Sequence, residues 1–291
     1  MKVIPFLAAC VVAFPAFAQQ AVPPYTESVL PTDTGLYAVA IGPGGPGEEF
    51  GSDATNGGFY RIKPDGTREE IELRDGQGLR NPTGMVEKDG QFFLVDGNQI
   101  ISVGTGGQVN WRKTLDADGV FFYDIEVLGH ETLIVSDFGR GKFVSVDMQS
   151  GEFKPYLDGI EIKGLARFEI ADEHIYAVSW GADDAWDSAL YQITDIGGSA
   201  AVEKLSDGFG NLESVEVFDG NIVVGGYRGH EKFQNTKIMR VSLDGTVQPI
   251  AAGSHTKGVS DIFHDGTSVW LTYFYDAQYE MVPAETFIKA E

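Results

Sequence analysis

The stretch NPTGMVEKDGQFFLVDGNQI, residues 81–100, decides how this chain is read. It opens on a proline turn and runs through a short strand pattern, MVEK. It reverses at Asp89-Gly90, continues into an apolar strand, FFLVD, and turns again at Asp96-Gly97. A single hairpin of this kind fits many folds. A hairpin repeated along the chain fits few.

The cadence repeats. Leu36, Phe92, Leu133, Ile175, Ile222 and Val269 each head an apolar second strand, with spacings of 56, 41, 42, 47 and 47 residues. A third strand follows each: FYRI (59–62), IISV (100–103), FVSV (143–146), LYQI (190–193), IMRV (238–241) and YEMV (279–282). Turns such as KPDG, GTGG, QSGE and SLDG then lead to a fourth, more polar strand. Six four-stranded units of roughly 40 residues predict an all-β protein, a six-bladed β-propeller of four-stranded antiparallel blades. A sandwich or a single barrel would use the same strands, but neither predicts six copies of one unit. Blade 1 is expected over 25–77, the others near 78–119, 120–162, 163–208, 209–254 and 255–291. Two segments compete to close the ring: TFIKAE at the C-terminus, or residues 19–25.

Residues 1–18, MKVIPFLAACVVAFPAFA, read as a secretory signal peptide cleaved after Ala18, which leaves one propeller domain over 19–291. Leu7-Ala8-Ala9-Cys10 has the order of a lipoprotein box, but the apolar run before Cys10 is short and continues past it. Cys10 is the only cysteine, so the mature chain has no disulfide and depends on its core. The expected location is the periplasm or the outside of the cell. No later apolar run is long enough for a membrane span. The net charge of −22 disfavours nucleic acid and suits cations or neutral ligands.

Nine residues before each second-strand marker stand Glu27, Thr83, Asp124, Ala166, Glu213 and Ser260, expected at one rim of the central channel. Two residues further on come Val29, Met85, Glu126, Phe168, Val215 and Ile262, expected on the same face by period-two alternation. Three carboxylates at one rim repel one another unless a cation offsets them, so Glu27, Asp124 and Glu213 are the candidate ligands of a divalent ion, calcium first. Arg167 and Lys163 are the alternative source of positive charge, and solvation of a wet channel mouth is the plainer reading. Above this rim the strand 2–3 connections are long: 41–58, 180–189, 227–237 and 273–279. With Thr83, Arg167, Ser260 and Asp261 below, and Trp180, Tyr227 and Tyr273 above, they predict a roofed pocket for a small molecule or a protein partner. Trp186 and Tyr275 belong to the same loops, and Asp183, Asp184 and Asp187 suggest either a second cation site or simple solvation. The GPGGPG run (42–47) reads as a turn, since no helix start follows it. No GxSxG, HExxH, Walker or CxxC motif is present, and the five histidines lack ligand spacing.

The P-x-G-M…DG…FLVD phrase and the DG-punctuated blades resemble the SMP-30/gluconolactonase and NHL-type six-bladed propellers across nearly all of the mature chain. GPGGPGEE ahead of FYRI also looks like the Gly-rich first blade of secreted ScyD/ScyE-type proteins. The first resemblance implies one axial divalent cation held by acidic and amide side chains. Glu27, in TESV, stands where that family has its first-blade Glu, and Glu213, in LESV, stands for a later Asp or Asn. The family's G-E-G-P-x-W opening is missing, and neither of its axial Asn residues stands at the six rim positions. Two functions follow as expectations. One is metal-dependent hydrolysis of small lactones or esters, with Glu27, Asp124 or Glu213 as base. The other is a non-catalytic propeller that binds a sugar, peptide or protein through its aromatic loops.

Overall fold

A computed structural model describes residues 20–23, 25–41, 57–181, 187–227, 238–250 and 258–288. After a two-residue strand β1 (Gln20–Ala21), blade 1 comprises β2 (Thr26–Thr32), β3 (Gly35–Ala40), β4 (Gly58–Ile62) and β5 (Arg68–Glu70). Blade 2 is β6 (Pro82–Lys88), β7 (Gln91–Asp96), β8 (Gln99–Gly104) and β9 (Val109–Thr114). Blade 3 is β10 (Phe122–Leu128), β11 (Thr132–Asp137), β12 (Lys142–Asp147) and β13 (Phe153–Tyr156). Blade 4 is β14 (Leu165–Ala171), β15 (His174–Ser179), β16 (Ala189–Thr194) and β17 (Ala201–Asp207). Blade 5 is β18 (Leu212–Phe218), β19 (Asn221–Gly226), β20 (Ile238–Val241) and β21 (Val247–Pro249). Blade 6 has β22 (Asp261–His264), β23 (Ser268–Tyr273) and β24 (Gln278–Pro283), followed by a one-turn helix α1 (Glu285–Ile288). All six sheets are four-stranded and antiparallel, as the repeat predicts, and those of blades 1 to 5 are simple meanders.

The N-terminal segment closes the ring. β1 pairs antiparallel with β24, Gln20 opposite Tyr279 and Ala21 opposite Gln278, and supplies the outermost strand of blade 6. The competing segment, TFIKAE, begins inside α1 instead. Arg68 Nη1 ties the closure to blade 1 by donating to the Val22 carbonyl (2.9 Å). Residues 1–19, which carry the expected signal peptide, lie outside the described residues.

The cohesion lies between blades. Phe92 and Leu94 face blade 1, in a cluster with Tyr37, Val39 and Phe59, while Phe93 and Val95 face blade 3, with Phe122, Ile125 and Leu133. Both faces of a second strand are therefore buried, which is why FFLV is uninterruptedly apolar rather than alternating. Six clusters of this kind fill the six blade junctions, and the one between blades 6 and 1 joins Trp270 and Tyr279 to Val22, Val29 and Leu36.

Two local features decide which side chains reach the axis. The inner strands β2, β6, β10, β14 and β18 each carry a register shift near their start, at Glu27, Thr83, Tyr123–Asp124, Ala166–Arg167 and Glu213. A bulged residue is re-aimed, so the simple alternation expected between Glu27 and Val29 is broken there. In addition, the β10–β11 turn is one residue longer than its counterparts. Leu128 pairs with Thr132 across three residues, whereas Lys88 pairs with Gln91 across two. Tyr123, not Asp124, is thus the blade-3 counterpart of Glu27, Thr83 and Glu213.

Candidate functional site

Arg167 sits on the axis, 3 % exposed, and reaches from blade 4 into four other blades. Its Nε donates to the Ser260 carbonyl (3.0 Å), Nη1 to Asp124 Oδ1 (3.1 Å), and Nη2 to the carbonyls of Glu27 and Thr83 (both 2.9 Å). Asp261 Oδ1 lies 3.6 Å from Nε, Glu27 Oε2 lies 3.7 Å from Nη2, and the guanidinium stands 5.7 Å from the Tyr123 ring centroid. Asp124 also accepts from the Phe168 amide (3.0 Å), and Asp261 from the Ser28 hydroxyl (2.5 Å). The positive charge that the converging acids require is thus supplied at this level by the chain's own arginine.

Arg167 separates two concavities. Toward the strand 2–3 connections lies a cavity of about 300 Å³. Its floor is built from the bulged inner-strand residues Glu27, Thr83, Tyr123 and Glu213, with Asn81 beside them. Its walls come from connections: Phe138 after β11, Trp180 after β15, Tyr227 after β19, and Phe274 and Tyr275 after β23. These rings brace one another, with Tyr123–Phe138 at 5.6 Å, Phe138–Trp180 at 6.0 Å and Tyr227–Tyr275 at 5.3 Å between centroids. Trp180 and Tyr275, 40 % and 46 % exposed, are the exposed members of the wall.

Both floor carboxylates are buried and incompletely satisfied. Glu213 is 1 % exposed; its Oε1 accepts a hydrogen bond from the Tyr123 hydroxyl, while its Oε2 has no hydrogen-bond partner among the described residues. Glu27 is 5 % exposed, and its Oε2 is likewise without one. Burial pushes the Glu27 carboxyl up to about 7, against the pull of Arg167 and with Asp261 adding to the rise. Burial, then the proximity of Glu27 and Asp261, holds Glu213 well above the carboxylate range. The Tyr227 hydroxyl is raised too, by burial and then by Glu213 and Glu27.

On the other side of Arg167, Asp124 and Asp261 give way to Glu126, Glu169 and Glu216 from blades 3, 4 and 5. Burial, and then the repulsion of neighbouring acids, raises all three.

The expected site residues therefore divide. Glu27, Thr83, Glu213, Trp180 and Tyr227 meet in the upper cavity. Asp124, Arg167 and Asp261 lie a layer deeper, and Ser260 is wholly buried, contributing its carbonyl to Arg167. Tyr273 is not in the cavity. It shares a face of β23 with Val269 and Leu271, packs between blades 5 and 6, and donates to Glu280 Oε2 (3.1 Å). Its neighbours Phe274 and Tyr275, past the strand's end, take the wall position instead. The rim spacing points to neither Tyr123 nor Phe138; the longer V-L-G-H-E-T turn is the sequence signal for the first. Trp186, Asp183, Asp184 and the GPGGPG run lie outside the described residues.

An axial divalent cation fits these residues in part. Glu27 and Glu213 each offer a buried oxygen that accepts no hydrogen bond from the described residues, but both Asp124 oxygens already accept one. Among the described residues no three His, Cys, Asp or Glu side chains are gathered in a metal-ligand arrangement.

No protein-family model matches the chain, and no curated protein does either. Solved structures do. Virginiamycin B lyase from Staphylococcus aureus superposes with a TM-score of 0.57 at 14 % identity, over 91 % of this chain and 98 % of the lyase. A streptogramin B lyase gives 0.55 at 12 %, over 90 % and 96 %. The extracellular domain of BT4673 from B. thetaiotaomicron gives 0.57 at 12 %, over 89 % of this chain; the match spans 34 % of that longer chain. The likeness is one of fold. Identities this low place the chain among six-bladed propellers and leave its chemistry to its own side chains.

Proposed function

We propose that this chain is a small-molecule-binding propeller of the periplasm or the extracellular space, with its ligand held in the aromatic cavity above Arg167. The location rests on the signal-peptide pattern of residues 1–18. The observation that carries the binding site is the pair of buried oxygens, Glu27 Oε2 and Glu213 Oε2, that accept no hydrogen bond from the described residues within an aromatic enclosure. Leaving such a group unpaired costs about 1–3 kcal/mol, more when it is charged. A ligand that donates to these oxygens recovers that cost on binding. The cavity's volume lies at the lower end of small-molecule sites, and its concave shape favours a small ligand over a flat protein surface. A fragment screen by ligand-observed NMR tests this. Hits lost on filling the floor with Thr83→Trp support the site, whereas hits indifferent to that substitution place binding elsewhere.

The same oxygens support a second reading, a divalent-cation-dependent hydrolase of small lactones or esters, with calcium as the ion. Glu27 and Glu213, with Asn81 and Thr83 beside them, would hold it. When bound, such an ion polarises a carbonyl and acidifies water. Thermal unfolding after EDTA treatment, followed by titration with Ca²⁺, Mg²⁺ or Mn²⁺, separates the readings. An ion-dependent rise in Tm, absent from the Glu27→Gln/Glu213→Gln variant, supports an axial cation, and turnover of lactones or esters with that ion then supports the hydrolase; mass action gives about 2.7 kcal/mol at 100-fold over Kd. No rise with any ion leaves the binding propeller.

A further inference from the structure

We propose that the ligand of this cavity is a primary organic ammonium ion carrying a small apolar or aromatic body. The inference rests on the pocket reading above and names its ligand class.

Glu27 Oε2 and Glu213 Oε2 are acceptors, nine-tenths or more buried, and among the described residues no N–H or O–H reaches either. A primary ammonium supplies three donors from one atom, enough for both oxygens with one to spare. A hydroxyl supplies one. A bound ammonium also favours ionisation of carboxyls that burial otherwise holds protonated, and hydrogen bonds between a charged donor and a charged acceptor are roughly twice as strong as neutral ones.

The charge of the lining favours a cation. No Lys, Arg or His is among the described residues lining the cavity. Arg167 lies beneath it, with its nitrogens already donating to the Ser260, Glu27 and Thr83 carbonyls and to the Asp124 carboxylate. It forms ion pairs with Glu27, Asp124 and Asp261, but none with Glu213. An anionic ligand would meet two acidic side chains and no cation among the described residues of this lining.

The walls suit the same ligand. Tyr123, Phe138, Trp180, Tyr227, Phe274 and Tyr275 enclose the floor with ring faces and edges. Aromatic faces attract a desolvated cation and also pack an apolar body. A hydrated metal ion gains from the carboxylates alone and gives these rings nothing to bind.

Matched probes test the class. Isothermal titration calorimetry in EDTA-containing buffer at constant pH compares phenethylamine with 2-phenylethanol and phenylacetate, and hexylamine with hexan-1-ol. The expected result is amine binding at least tenfold tighter than that of the matched alcohol, with no phenylacetate binding. Glu213→Gln should bring amine and alcohol within about threefold of each other. Glu27→Gln serves as the second variant, and the wild-type selectivity decides the matter even where neither variant folds. Equal affinity for amine and alcohol overturns the ammonium inference and leaves the pocket reading intact. A preference for phenylacetate also overturns it. An absence of binding by every probe, together with fragment hits lost in Thr83→Trp, overturns the inference alone. The same absence without such hits overturns both.

Discussion

Arg167 joins strands that the chain connects only through long detours. One guanidinium donates hydrogen bonds to backbone carbonyls from blades 1, 2 and 6 and to Asp124 of blade 3, and forms ion pairs with carboxylates from blades 1, 3 and 6. Its planar fork suits acceptors spread around a ring, and a lysine ammonium, with its donors on a single atom, cannot span them. Arg167→Met is expected to lower stability by about 3–5 kcal/mol, because it leaves Asp124 and Asp261 buried without their counter-charge. Urea unfolding checks this. Arg167→Lys should recover only a small part of the loss, and full recovery would show that charge alone matters. A simultaneous change of Arg167, Asp124 and Asp261 to apolar residues should cost less than Arg167→Met does.

At the level of elements, the weakest join is also the one that closes the ring. β1 contributes two residues to blade 6, whereas every other outer strand has three or more and comes from its own blade. A propeller opened at this point exposes the apolar junction between blades 6 and 1, with Trp270, Tyr279 and Val29. Because the chain has no cysteine after Cys10, a staple can be introduced without competition. Ala21→Cys/Gln278→Cys joins directly opposed residues and is expected to raise stability by about 2–4 kcal/mol when oxidised. Comparing melting under oxidising and reducing conditions measures the gain. No difference between them would mean that the ring does not open at β1 as it unfolds.

For the molecule as a whole, the axis is a column of reluctant acids. Glu27, Asp124, Glu126, Glu169, Glu213, Glu216 and Asp261 are all raised, burial being the first cause in each, with Asp261 at about 6 and Glu27 at about 7. A carboxyl raised in the folded state keeps its proton while the unfolded chain has already lost it. The folded form therefore binds more protons between the ordinary value near 4.5 and the raised one, and stability falls as pH rises through that window. Surface acids such as Asp65 and Asp147, lowered by hydrogen bonds from Thr67 and Ser150, act oppositely, but only below about pH 4. The urea midpoint should thus decline from about pH 5 to about pH 8. Glu213→Gln should flatten the slope, because the amide that replaces the carboxyl cannot ionise. A midpoint that rises toward the alkaline end would contradict the assignment and point to a cation bound at the axis.

The repeat of FFLV-type runs and Asp-Gly turns determined the propeller, its blade number and its strand positions, because a buried strand must be apolar on both faces and each blade repeats that demand. It also placed Glu27, Thr83 and Glu213 at one rim and Trp180 and Tyr227 above them. Counting failed where spacing and register part company. One extra residue in the β10–β11 turn moved Asp124 a layer down and raised Tyr123 into the floor. The end of β23, set by its pairing with β24, assigned Tyr273 to the core and Tyr275 to the pocket. The contest between the two termini was settled by which of them forms a ladder with β24. The role of Arg167 was likewise decided only by the tertiary structure. Its partners lie 43 to 140 residues away in sequence, and only closure of the ring brings them to one guanidinium.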